Sequence, residues 1–154
     1  MPHSRFYINS PLLKKSEVIL EGEEAHHLQR VMRKKEGELV ELVNGCNQLA
    51  VAKIAGIEKK GVRLSIQAIK ELAAQDFTII LCQAIPRINR LDLIVEKGTE
   101  LGMHELWLFP AALSEKKDLS LSQLKRLEVI SIAAMKQCGR LDLPKIHLKP
   151  PLFK

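Results

Sequence analysis

The chain has 154 residues, of which 46% are hydrophobic and 27% are charged. This composition is too apolar for a disordered chain, and the length allows one domain or two small ones. No apolar run approaches the roughly 20 residues of a membrane-spanning helix, and Met1 to Ser10 lacks the apolar stretch of a secretion signal. We therefore expect a cytoplasmic protein. The net charge of +6 favours a polyanionic partner such as nucleic acid, although a merely basic protein has the same balance.

The cysteines and histidines show no metal-binding pattern. Cys46, Cys82 and Cys138 lie far apart and form no CxxC pair, so we expect neither a disulfide framework nor a metal site. We predict that the three thiols are small buried hydrophobic groups.

Short strands dominate residues 1–72. The predicted strands are Arg5 to Ile8, Glu17 to Leu20, Glu38 to Val43, Leu49 to Ile57 and Val62 to Ile69. Several short strands with one helix predict a small β-barrel. A linker at Glu71 to Asp76 separates this pattern from the next, so we place one domain at 1–72 and a second at 73–154.

A helix is predicted between Gly22 and Gly37, with acidic residues in its first turn and basic residues in its last. The residues predicted to face inward are Leu28, Val31 and Met32. His26, Arg30 and Arg33 form an exposed stripe, with Lys34 beside it. Such a stripe suits RNA phosphates, but cations at a helix C-terminus are also explained by the helix dipole.

The second domain begins with a strand–helix–strand unit. The apolar strand Phe77 to Ile85 is predicted to be buried on both faces of a parallel sheet. A helix follows from Arg90, capped by Asn89, with Leu101 on its buried face and Gly102 as its stop. Arg87 and Arg90 then lie beyond the carboxyl end of the strand, where such sheets bind ligands.

Two further helix and strand patterns complete the chain. The second strand of this domain is Glu105 to Phe109, a capping box at Ser120 begins a helix over Leu121 to Cys138, and a third strand lies within Asp142 to Leu148. Three strands are few for a doubly wound sheet. We therefore expect an incomplete domain that exposes apolar surface and tends to associate.

Three blocks of sequence resemble successive blocks of the RsmE family, the uracil-N3 methyltransferases of small-subunit ribosomal RNA. They are GEEAHHLQRVMRKKEGELVELVNG (Gly22 to Gly45), QAIPRINRLDLIVEKGTELGM (Gln83 to Met103) and AAMKQCGRLDLPKI (Ala133 to Ile146). The resemblance implies an N-terminal PUA-like β-barrel that binds RNA, followed by a SPOUT-type α/β domain with a parallel sheet. It also implies the cofactor S-adenosylmethionine (SAM) and a homodimer formed through the SPOUT domain.

The resemblance covers the first two thirds of such an enzyme. The family's Gly-rich loop, which helps to build a C-terminal trefoil knot and the cofactor pocket, would follow Lys154. We therefore expect no cofactor-binding residue in this chain, and no activity from these 154 residues alone.

The block matches and loop positions give candidate site residues. The candidate catalytic residues are Arg90 and Arg140, as cations near the uracil oxygens, and Glu100, as a helper base or structural partner. The candidate RNA-binding residues are Arg5, His26, Arg30, Arg33, Lys34, Arg87, Lys116 and Lys117.

Two other functions stay open. A non-catalytic RNA-binding fragment would use the barrel alone. A small α/β enzyme acting on a metabolite would show no salt-dependent affinity for RNA.

Overall fold

The computed structural model describes residues 4–73, 75–112 and 117–151. The chain divides into two compact units, Met1–Ala73 and Ala74–Lys154. Each unit is described below on its own.

The first unit is one curled, five-stranded mixed sheet around an apolar core. Its elements are β1 (Arg5–Tyr7), β2 (Glu17–Leu20), α1 (Gly22–His26), a π-helical segment (His27–Val31), β3 (Leu39–Val43), β4 (Gln48–Glu58) and β5 (Gly61–Glu71). The strand order is β1-β3-β4-β5-β2, parallel between β1 and β3 and antiparallel elsewhere. The register between β4 and β5 shifts at two bulges, which increase strand twist and help the sheet curl into a half-barrel. The predicted β-type N-terminal fold is confirmed.

The helix of the first unit is shorter than predicted. It ends at Val31, and the N–H of Met32 bonds the carbonyl of His27, five residues back. This wider π turn rotates the residues that follow, so Val31 is 62% exposed and Met32 is exposed too, whereas only Leu28 is buried. The prediction that all three face inward was therefore wrong. Arg33 adopts a left-handed backbone (φ 50°) and lies past the helix end.

Gly61 is needed for the close pairing of β2 with β5. A Cβ added there would lie 2.3 Å from the carbonyl oxygen of Leu20. We expect Gly61→Ala to lower the stability of the first unit by about 2 kcal/mol, since the backbone must shift. Hydrogen exchange of the β2 and β5 amides measures this change.

Gly56→Ala is the matched control, because its added Cβ would contact only the flexible end of Arg63. Equal loss of protection in both variants would contradict the close-approach argument.

The second unit is a three-stranded parallel sheet with two helices. Its elements are β6 (Ile80–Ala84), α2 (Ile88–Glu100), β7 (Glu105–Phe109), α3 (Leu121–Cys138) and β8 (Lys145–Leu148). The strand order is β6-β7-β8, and both pairs are parallel, as predicted. Leu106 and Leu108 of β7 share one buried cluster with α2 and α3, so both helices cover the same face of the sheet.

No described element of the second unit packs against the opposite face of this sheet. Ile79, Ile80 and Leu81 are all exposed, so the prediction of a strand buried on both faces was wrong. The reason is that β6 is an edge strand and the helices pack on one face only. All three cysteines are likewise exposed, contrary to prediction: Cys46 in a loop, Cys82 on β6 and Cys138 at the end of α3.

The ends of α2 also differ from prediction. Arg87 occupies the N-cap and Asn89 lies inside the first turn, so Asn89 is not the cap. Leu101 is 83% exposed because the helix ends at Glu100, and Thr99 takes the buried position instead. Gly102 has the expected left-handed conformation (φ 94°).

The predicted bounds of α3 are confirmed, with the Ser120–Gln123 capping box at its start and a left-handed Gly139 at its end. Within the described ranges, no helix is both long and apolar enough to cross a bilayer. Among the same residues, no three His, Cys, Asp or Glu side chains are grouped to hold a metal ion.

Candidate active site and RNA-facing residues

The carboxyl edge of the parallel sheet is the first candidate site. At this edge the N–H of Ile85 bonds the carbonyl of Phe109 (2.9 Å), and the N–H of Lys149 bonds that of Leu108 (2.7 Å). The chain then turns at Pro86 into α2, so the helix N-terminus lies at this edge, where its dipole favours anions. Arg87 and Arg90 are both exposed here, as predicted from the sequence.

A cavity of about 420 Å³ lies at the same edge. It is lined by Ile85, Leu108, Pro110, Lys117, Asp118, Leu148, Lys149, Pro150 and Pro151. Lys117 was predicted to bind RNA. Lys149 was not predicted as a site residue, although it follows β8 much as Arg87 follows β6. The ammonium of Lys149 lies 4.1 Å from the centre of the Trp107 ring. Lys116 lies outside the described residues.

Arg140 lies at the opposite, amino edge of the sheet and is held by structural contacts. Its Nη1 donates to the carbonyls of Thr99 (2.8 Å) and Met103 (3.0 Å). Its Nε donates to Asp142 Oδ1 (3.1 Å), and its Nη2 pairs with the other carboxylate oxygen. The guanidinium thus ties the last turn of α2 to the segment that leads into β8.

Glu100 lies at this amino edge too. Both of its carboxylate oxygens accept hydrogen bonds from Lys97 Nζ at 3.0 Å. Glu96, then Glu100, raise the pKa of the Lys97 ammonium by hydrogen bonding. These three charged side chains thus form an ion-pair cluster on the solvent-exposed side of α2.

The structure does not bring the three candidate catalytic residues together. Arg90 lies in the first turn of α2, and Arg140 contacts its last turn at Thr99, nine residues later. At 1.5 Å per residue, these points are about 14 Å apart along the helix axis. One uracil ring therefore cannot contact the edge that holds Arg90 and the edge that holds Arg140 and Glu100 at once.

Two predicted RNA-binding residues of the first unit are already ion-paired. Arg5 donates to Glu41 Oε2 from Nε (2.9 Å) and Nη2 (2.7 Å) across the β1–β3 pair. Lys34 donates to Glu38 (2.9 Å), and this hydrogen bond holds the pKa of the Glu38 carboxyl below its usual value.

The other predicted basic residues of the first unit are open to solvent. His26, Arg30 and Arg33 are all exposed. None of them has an ion-pair partner within the described part of the chain. They stay available for a polyanion, and their role in RNA binding stays a prediction.

The residues that line the carboxyl-edge cavity do not by themselves fit the cofactor that the resemblance implies. The polar side chains that line the carboxyl-edge cavity are two lysines and Asp118, whose Oδ1 accepts the Leu119 N–H (2.8 Å). SAM carries a sulfonium cation, which two neighbouring ammonium groups disfavour. We therefore assign no step through the cofactor to these residues.

Comparisons with known proteins agree on one family. The profile described as an RNA methyltransferase domain matches residues 73–154, and that described as an RNA methyltransferase PUA domain matches 20–67. Ribosomal RNA small subunit methyltransferase E of Buchnera aphidicola is 29% identical over 97% of this chain and 60% of its own length. The crystal structure of a predicted RNA methyltransferase from Thermotoga maritima matches with a TM-score of 0.82 at 28% identity. The match covers 99% of this chain and 67% of the Thermotoga chain.

A third comparison shows the fold alone. The structure of ribosomal RNA small subunit methyltransferase E from Neisseria gonorrhoeae, bound to S-adenosyl methionine, has a TM-score of 0.82 at 24% identity. The match covers 96% of this chain and 62% of the Neisseria gonorrhoeae chain. The chain thus spans about three fifths of the length of the first of these relatives.

Proposed function

The chain belongs to the RNA methyltransferase family that includes ribosomal RNA small subunit methyltransferase E, and from this we propose that the whole protein methylates N3 of a uridine in small-subunit ribosomal RNA. The methyl donor in this proposal is SAM. The single observation that carries it is the pair of family matches, one to each half of the chain.

The two halves have separate tasks in this proposal. Residues 1–72 dock the RNA, and 73–154 form the N-terminal part of the methyltransferase domain. His26, Arg30 and Arg33 are the RNA contacts that we favour in the first half, because their charges are not neutralised by described partners. A homodimer through the second half and a cytoplasmic location, where ribosomes are assembled, belong to the same proposal.

Methylation at N3 requires loss of the weakly acidic imide proton, which leaves negative charge on the uracil oxygens. A cation beside those oxygens stabilises that charge. Arg90 suits this task, because it is exposed at the carboxyl edge and has no ion-pair partner among the described residues. Arg140 and Glu100 suit positioning of α2 instead, because their charges are engaged at its far end.

The test is formation of 3-methyluridine in ribosomal RNA. Small subunits from cells that lack the gene are incubated with the whole protein and SAM, and nuclease digests are analysed by mass spectrometry. We expect one modified uridine per subunit. A methyl group on another atom, or on another RNA only, would overturn the proposal.

A non-catalytic RNA-binding role for the 154-residue polypeptide is the second candidate. It is favoured by the poor fit of the residues that line the carboxyl-edge cavity to SAM. A calorimetric titration of this polypeptide with SAM tests that role, because heat with micromolar affinity would place a cofactor pocket within these residues and contradict a purely RNA-binding role. No heat from folded protein would support the RNA-binding role.

A further inference from the structure

A second basic site in the first unit is formed by residues other than His26, Arg30 and Arg33. A cavity of about 580 Å³ is formed by the loop between β1 and β2, the edge strand β2 and one residue of β5. It is lined by Ile8, Ser10, Lys14, Lys15, Ser16, Glu17, Val18, Ile19 and Arg63. Its volume lies within the range of about 300–1,000 Å³ typical of small-ligand sites.

The charges of this cavity suit an anion. Lys14, Lys15 and Arg63 outnumber the single carboxylate, Glu17. Lys14 and Lys15 are exposed and have no ion-pair partner among the described residues, while Arg63 pairs with Glu58 at 3.2 Å. The hydroxyls of Ser10 and Ser16 add donors, and Lys15 Nζ lies 3.4 Å from Ser10 Oγ. Cations beside hydroxyl donors are the groups that bind phosphate.

The loop that carries the lysines is fixed at both ends. Leu12 is fully buried, and its N–H donates to Gln48 Oε1 (3.0 Å), itself a buried side chain. At the other end, the backbone carbonyl of Ser16 accepts a hydrogen bond from the N–H of Ile66 (2.8 Å). Between these anchors Lys14 adopts a left-handed backbone (φ 63°), which a lysine rarely does. The lysines are thus presented by an ordered loop, which lowers the entropy lost on binding.

We propose that this cavity binds two adjacent phosphodiesters of single-stranded RNA, as a contact separate from His26, Arg30 and Arg33. The inference rests on the proposed function, because it takes RNA as the ligand. Ile19, which is exposed at the rim on the edge strand, offers an apolar surface to the sugar or base. Lys14 and Lys15 each neutralise one phosphate charge.

The test measures binding of a fluorescein-labelled, 16-nucleotide single-stranded RNA of mixed sequence to the 154-residue chain, at several salt concentrations. We expect the double variant Lys14→Gln/Lys15→Gln to bind about 10-fold more weakly at 0.1 M salt. The plot of log K against log salt concentration should become less steep, its negative slope shrinking in magnitude by about 1.4, since each phosphate contact in a single strand contributes about 0.7.

The matched control is Lys59→Gln/Lys60→Gln. These two exposed lysines are adjacent in the β4–β5 turn of the same unit and do not line the cavity. The control changes the net charge equally, so we expect it to change affinity less than 2-fold. Equal weakening in both double variants would show a bulk charge effect and overturn the site.

A second variant separates binding from folding. Lys14→Gly removes one charge at a position where the left-handed backbone favours glycine, so the loop should keep its conformation. We expect about 3-fold weaker RNA binding from it. Unchanged affinity for this variant, or displacement of the RNA by polyglutamate at equal charge, would overturn the assignment to RNA.

The outcome for this site is distinct from that for the proposed function. If the wild-type chain binds the RNA and the lysine variants bind equally well, this site alone is wrong. If the wild-type chain binds no RNA, the site is overturned, while the proposed function is judged by formation of 3-methyluridine.

Discussion

Replacing Arg140 by alanine is expected to destabilise the second unit by about 2–3 kcal/mol. Hydrogen bonds to a charged donor are worth about 1.5–3 kcal/mol each, and this guanidinium makes several. Its loss leaves the carbonyls of Thr99 and Met103 without this donor, and leaves Asp142 unpaired. The Arg140 side chain is only 14% exposed, so water replaces these contacts poorly.

The measurement is unfolding in guanidinium chloride, followed by the fluorescence of Trp107. This is the single tryptophan of the chain and lies in β7, so it reports on the second unit without a signal from the first. The change in midpoint gives the change in the free energy of unfolding when the slope is unchanged.

Two further variants divide the effect among the partners of Arg140. Asp142→Asn removes the ion pair but leaves both carbonyl contacts, and we expect it to lose about half as much stability. Arg140→Lys keeps the charge but cannot form the same fork of hydrogen bonds, so we expect a loss between those of the other two. Full stability in Arg140→Ala, together with lost turnover in the whole protein, would return Arg140 to the role of a catalytic cation.

The local fold was largely predictable because its signals are local. The Ser120 capping box and the left-handed Gly139 define both ends of α3 within neighbouring residues. Burial was less predictable, because it depends on what packs from elsewhere. The apolar run of β6 is typical of a strand that is buried on both faces of a sheet. Ile80 and Leu81 are nevertheless exposed, because no described element packs on the second face.

The grouping of site residues was the least predictable property. Arg90 and Arg140 lie in blocks that resemble one family, but their spacing in the sequence does not show that they lie at opposite ends of α2. In the structure, Arg90 is in the first turn of this helix and Arg140 contacts its last turn. The pairing of Arg5 with Glu41 is likewise a tertiary contact, made by strands 36 residues apart in sequence. Lys14 and Lys15 were not predictable as site residues, because the cavity that they line with Arg63 forms only after β2 pairs with β5.

The position of Arg90 leads to the second large expected effect. In the whole protein, Arg90→Ala should lower kcat for 3-methyluridine formation by about 100-fold. Removal of one preorganised donor to a developing anion typically has an effect of about 10²–10³ in kcat. Arg90 has no ion-pair partner among the described residues, so stability should change little.

The matched control is Arg126→Ala, which removes an equal charge from the same unit. Arg126 is an exposed residue of α3 that pairs with Asp92 of α2 (2.7 Å), and exposed pairs contribute about 1 kcal/mol or less. We expect near-normal kcat from this variant. A comparable loss in both variants would mean that the overall charge of the unit matters, and that Arg90 has no special position.

Whether the Arg90→Ala substitution lowers kcat or raises KM shows which part of the RNA Arg90 contacts. A cation that stabilises only the anionic uracil acts in the transition state, so its loss lowers kcat and leaves KM nearly unchanged. Raising the pH ionises the imide without help, and we expect it to restore part of the rate of Arg90→Ala. A cation that binds an RNA phosphate acts equally in the ground state, so its loss raises KM at constant kcat. That second result would move Arg90 from the reacting base to the RNA backbone, beside Arg87 at the same end of α2.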